Sequence, residues 1–114
     1  MNPSQVNLTS LKTIKSLLET YGARPKKRLG QNFLTDIRAL ERILEAADLS
    51  PQDTVVEIGP GIGTLTRELA QKAKTVIAIE KDEKMVEILK ETLKGYRNVE
   101  LLRGDILKTN PNVQ

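Results

Sequence analysis

Three carboxylates and three closely spaced glycines fall in a pattern suited to holding a charged small molecule. Glu57 stands two residues before Gly59, Gly61 and Gly63 follow at every second position, Glu80 ends a second apolar run, and Asp105 follows Gly104 at the end of a third. Alternate glycines remove the β-carbons from one side of a turn, so that backbone N–H groups can approach a ligand closely. The carboxylates set the sign of that ligand. A pyrophosphate would be repelled by Glu57, whereas a molecule carrying an ammonium and a sulfonium would be attracted. S-adenosylmethionine carries both. Gly59 and Glu80 are 21 positions apart (80 − 59), close to the spacing of about 20 at which a second strand end presents an acid to ribose hydroxyls. Asp105, at a third strand end, is placed to accept from an adenine amino group.

The elements needed to position these groups are legible around them. Val55, Val56 and Ile58 suit a strand covered on both faces, as in a parallel sheet. A helix capped by Thr64 is expected to run to about Ala73, with Leu65, Leu69 and Ala73 on one face. Thr75–Ile79 reads as a second strand ending at Glu80. A helix from about Asp82 to Leu93, closed by Gly95, precedes a third strand over Val99–Leu102. This β-α-β-α-β order calls for a parallel sheet with right-handed crossovers. Upstream, Leu11, Ile14, Leu17, Leu18 and Tyr21 recur at helical spacing before Gly22. Residues 23–34 have no periodicity. Thr35 or Asp36 then caps a helix whose Ile37, Leu40, Ile43, Leu44 and Ala47 form one apolar stripe, and Ser50–Asp53 makes a turn.

Composition narrows the chemistry further. The 114 residues contain no cysteine or histidine, which removes disulfides, thiol nucleophiles, imidazole bases and ordinary zinc sites and accords with a cytoplasmic setting. No metal site is expected. No apolar run is long enough to span a bilayer. The net charge of +3 is mild, with one local excess at Arg24-Pro25-Lys26-Lys27-Arg28 between Gly22 and Gly30. Four cations without an acid can neutralise nucleic-acid phosphates, or can simply form a solvated linker.

Taken together, these motifs resemble the ribosomal RNA adenine dimethyltransferases, the kasugamycin-sensitivity family. Lys26-Lys27-Arg28-Leu29-Gly30-Gln31-Asn32-Phe33-Leu34 is similar to that family's N-terminal signature. Val56-Glu57-Ile58-Gly59-Pro60-Gly61-Ile62-Gly63-Thr64-Leu65-Thr66 is similar to its first cofactor motif, and Glu80 and Gly104-Asp105 to the next two. The resemblance implies the N-terminal half of a Rossmann-like methyltransferase fold, with a helix and basic loop over residues 1–34 and a partial S-adenosylmethionine-binding domain over residues 35–114. It implies transfer of methyl groups to N6 of two adjacent adenosines near the 3′ end of small-subunit rRNA.

By position, Asn32 and Leu34 would contact the cofactor from the loop, Gly59 through its backbone, Glu80 through ribose and Asp105 through adenine. Glu57, Gly61 and Gly63 complete that set. Arg24, Lys26, Lys27, Arg28 and Gln31 would face RNA, either rRNA or the precursor ribosomal particle. The family's N-L-P-Y tetrapeptide, which clamps the target base after a fourth strand, has no counterpart here; Asn110-Pro111-Asn112-Val113 has no aromatic and reads as a turn. The chain is accordingly read as the N-terminal part of a longer protein, inactive alone, with no catalytic residue of its own. Its first strand would have an open edge that favours self-association. A nicotinamide-binding oxidoreductase fragment and a non-catalytic RNA-binding module are the competing readings.

Overall fold

Residues 6–23 and 36–105 are described by the computed structural model. Ser10, in extended conformation, accepts a hydrogen bond from the Thr13 N–H (3.4 Å) and opens helix α1 (Leu11–Thr20). Gly22 closes it. At φ +64° its N–H reaches the Glu19 carbonyl (3.2 Å) and the Ala23 N–H reaches that of Leu18 (2.8 Å), the paired bonds of a left-handed helix ending. Helix α2 (Ile37–Ala47) starts at Asp36, whose carboxylate accepts from the N–H groups of Arg38 (2.9 Å) and Ala39 (3.3 Å). Of the two capping candidates, Thr35 lies outside the described residues.

The apolar stripe of α2 is only partly used. Leu40 is buried and Leu44 packs on the core, but Ile37, Ile43 and Ala47 are exposed. The helix touches the rest of the fold mainly through α3 (Thr64–Lys72), so a single ridge of the stripe meets a partner.

Strands β1 (Thr54–Ile58), β2 (Thr75–Glu80) and β3 (Val99–Arg103) form a parallel sheet in the order β1-β2-β3. Val56 pairs with Ile77 and Ile58 with Ile79; Ile79 pairs with Leu102 and Glu80 with Arg103. Right-handed crossovers that advance in one direction put their helices on one face. Helices α3 and α4 (Glu83–Thr92) accordingly cover the side carrying Val76, Ala78 and Glu80. The expectation that β1 is covered on both faces is therefore corrected. Among the described residues no layer covers the opposite side, where Val56 and Ile58 are more than half exposed. β1 is an edge strand of the described sheet.

The core has two parts. Leu69, Ala70, Ala73 and Val76 join α3 to the sheet, with Val55, Leu65, Tyr96 and Val99 around them. Leu8, Ile14, Leu17 and Leu18 pack on Ile62, Met85 and Ile88, so α1 rests directly on the glycine turn and on α4. No described helix is long and apolar enough to cross a membrane.

Candidate functional site

The paired register brings three of the positions selected from the sequence, Gly59, Glu80 and Asp105, to one rim. The Gly59 N–H donates to the Ile79 carbonyl and the Gly104 N–H to that of Glu80, both at 2.9 Å. Gly59, Glu80 and Gly104-Asp105 thus stand at the C-terminal ends of three adjacent parallel strands, where open α/β sheets bind ligands.

The glycine turn is held from behind. Pro60, Gly61, Ile62 and Gly63 are buried, the Gly63 N–H closes on the Pro60 carbonyl (3.0 Å), and the buried Thr92 hydroxyl donates to the Ile62 carbonyl (2.8 Å). Gly61 and Gly63 have φ +63° and +95°, a region in which side chains bearing a β-carbon are strained. Gly59 differs from both. It is exposed, at φ +69°, and a β-carbon built on it meets nothing within 4 Å. That open space over exposed strand-end backbone fits close approach of a ligand, which is the test a cofactor reading has to meet.

Thr64 does not cap α3, as the sequence suggested. Gly63 takes the N-cap position without a side-chain bond, and the Thr64 hydroxyl donates instead to the Leu8 carbonyl (3.2 Å). Packing of the N-terminal segment on the turn claims that hydroxyl, and with it the local cap.

Glu57 and Glu80 project from the helix-covered face of the sheet. Glu57 is half-buried and accepts from the Thr66 hydroxyl (2.5 Å). Burial raises its pKa, and the Thr66 bond opposes that rise. Glu80 is 3% exposed, and its Oε2 accepts from the Asp82 N–H (2.9 Å), closing the loop into α4. Burial again raises the pKa first; backbone bonds from Asp82 and Lys81 lower it, Asp82's charge raises it and Lys81's lowers it.

A carboxyl whose folded pKa is raised binds more protons in the native state than in the unfolded chain. Its contribution to stability is complete below the unfolded pKa and is lost as pH rises through the folded value. Urea midpoints are therefore expected to fall as pH rises across that window, and Glu80→Gln, which cannot ionise, flattens the profile. An unchanged slope in the variant would contradict this.

Thr66 and Thr92 were not assigned a role from the sequence, and Thr64 was named only as a helix cap. The only local cue was a pair of threonines flanking Leu65. Asn32, Leu34, Arg24, Lys26, Lys27, Arg28 and Gln31 lie outside the described residues, as does the Asn110–Val113 segment. Among the described residues no cluster of His, Cys, Asp or Glu is arranged to hold a metal ion.

Known proteins share both the sequence and the arrangement. Ribosomal RNA small subunit methyltransferase A of Leuconostoc mesenteroides is 52% identical over 96 residues, covering 84% of this chain and 32% of the relative. The chain spans about a third of the length of the curated relatives it matches. The crystal structure of the 23S rRNA methyltransferase ErmE superposes with a TM-score of 0.65 at 44% identity, over 70% of this chain and 33% of that one. An RNA methyltransferase from Salinibacter ruber, solved with S-adenosyl-L-homocysteine, superposes with a TM-score of 0.58 at 25% identity, over 66% and 52% of the two chains. A family model described as ribosomal RNA adenine dimethylase matches residues 22–114. With that match running from the end of α1 through the glycine turn and all three strand ends, the chain belongs to the ribosomal RNA adenine dimethylase family.

Proposed function

We propose that this chain supplies the S-adenosylmethionine-binding half of an rRNA adenine N6-methyltransferase, residues 35–114 forming the partial cofactor domain and residues 1–34 the helix and basic loop that precede it. The observation that carries the reading is the open backbone at Gly59 at the same strand-end rim as the buried Glu80 and the partly exposed Asp105. Gly59 admits the methionyl part while Gly61 and Gly63 shape the turn beneath it, Glu57 faces its ammonium, Glu80 accepts from ribose and Asp105 from adenine; Asn32 and Leu34 complete the site. The bound cofactor supplies an electrophilic methyl group. The chain's own groups orient it.

Arg24, Lys26, Lys27, Arg28 and Gln31 face the small-subunit rRNA or its ribosomal precursor, in the cytoplasm, where N6 of two adjacent adenosines near the 3′ end receives the methyl groups. We assign no catalytic residue within these 114 and propose that they do not turn over alone.

Isothermal titration with S-adenosylhomocysteine tests the reading. Wild type is expected to bind, and Asp105→Ala to bind roughly tenfold more weakly, the loss of about one hydrogen bond. Silence from the folded wild-type protein would end the cofactor assignment.

The exposed Val56 and Ile58 on edge strand β1 also favour pairing with a second copy. Sedimentation is expected to show reversible association that the double substitution Val56→Lys, Ile58→Lys abolishes. A wild-type monomer at every concentration would refute it.

A further inference from the structure

We propose that Thr66 is a positioning residue for the cofactor site: its hydroxyl fixes the Glu57 carboxylate through Oε1 and leaves Oε2 to face the ammonium of the ligand. This rests on the cofactor reading above and adds to it a residue outside the strand-end acids and the glycines.

The geometry carries the assignment. Thr66 is fully buried in the first turn of α3, and its hydroxyl lies 2.5 Å from Glu57 Oε1. A helical threonine ordinarily turns its hydroxyl back to the carbonyl four residues earlier. For Thr66 that carbonyl belongs to Ile62, which already accepts from the Thr92 hydroxyl at 2.8 Å. Thr92 therefore satisfies the turn, and the Thr66 proton is left for the carboxylate across it. A hydroxyl bond to an ionised oxygen is stronger than one to a neutral oxygen, and the N-terminal end of α3 adds positive potential at the same place. The bond joins β1 to α3 over residues 57–66 and so brackets the glycine turn.

Charge at Glu57 follows from the same contact. Burial disfavours its ionised form and the Thr66 bond favours it, and these are the causes of its shift. The titratable neighbours on this face are otherwise engaged. Arg67 of α3 donates to the carbonyls of Val6 and Thr92, Glu80 of β2 accepts from Asp82, and Arg103 of β3 lies 3.7 Å from Glu83 of α4. Lys84 of α4 donates to the Gly22 carbonyl at the end of α1. With the hydroxyl removed, the Glu57 carboxylate loses the hydrogen bond that, among the described residues, opposes its protonation.

The test compares wild type, Thr66→Val and Thr66→Ser. S-adenosylhomocysteine affinity is measured by calorimetry across pH, and the Glu57 side-chain carboxyl is titrated by NMR without ligand. Thr66→Val is expected to bind about tenfold more weakly near neutral pH, with the Glu57 titration moved to higher pH; Thr66→Ser restores both. An unchanged titration and affinity in Thr66→Val would overturn the inference while leaving the cofactor reading intact. Equal loss in Thr66→Ser and Thr66→Val would assign Thr66 to packing alone and also overturn it. Failure of wild type to bind would remove the cofactor reading, and this inference with it.

Discussion

Gly63→Ala is expected to destabilise the fold by about 2–4 kcal/mol, the sum of a left-handed backbone penalty and an overpacked site. Gly59→Ala costs only about 1 kcal/mol, for the backbone alone. The two glycines lie four residues apart in the same turn, both at positive φ, yet they face different surroundings. A β-carbon on Gly63 would sit 3.0 Å from Leu93 Cδ2 and 3.1 Å from Thr92 Oγ1. Leu93 is buried, and the fully buried Thr92 holds its hydroxyl on the Ile62 carbonyl. A β-carbon on Gly59 meets open space, the space the cofactor reading fills with ligand. Gly59→Ala is therefore expected to keep most of its stability in a urea melt and to lose most S-adenosylhomocysteine affinity in calorimetry. Gly63→Ala shows its main effect in the melt. If Gly59→Ala bound ligand as wild type does, the close approach assigned to that glycine would be wrong.

Much of this turn was legible before the structure, because its signals are local. β-Branched residues before alternating glycines specify strand and turn, and acids placed after apolar runs specify strand ends. The elements from β1 to β3 accordingly fall within a residue or two of their expected bounds. What the sequence does not carry is closure between distant segments. The Thr64 hydroxyl reaches Leu8 across 56 positions, and Thr92 reaches Ile62 across 30; no pattern within a window of ten residues encodes either bond. The same limit explains the apolar faces. Periodicity shows that Ile37 and Ile43 share a side of α2 and that Val56 and Ile58 share a side of β1, but not whether a partner covers that side. Among the described residues none does.

Arg67→Met is expected to cost about 3 kcal/mol, because it leaves two carbonyl groups without their charged donor. Arg67 is 8% exposed. Its Nε donates to the Thr92 carbonyl (2.9 Å), its Nη1 to that of Val6 (2.6 Å), and its guanidinium carbon lies 5.7 Å from the centroid of the Tyr96 ring. The side chain thus ties the segment leading into α1 to the last turn of α4. Methionine preserves much of the apolar stem and none of the donors, so the difference reports on the polar contacts. Burial lowers the Arg67 pKa from its usual value, but a guanidinium stays charged at any working pH, and no pH dependence is expected from it. Arg67→Lys has a single ammonium in place of a planar fork. It should recover one of the two bonds, and about half of the loss. Thr92 connects this clamp to the glycine turn, since its carbonyl takes Arg67 while its hydroxyl holds Ile62. Hydrogen exchange in Arg67→Met should therefore speed first at α1, and next at Ile62 and Gly63. A variant that lost less than about 1 kcal/mol, within the range of an ordinary surface substitution, would show that neither carbonyl depends on Arg67.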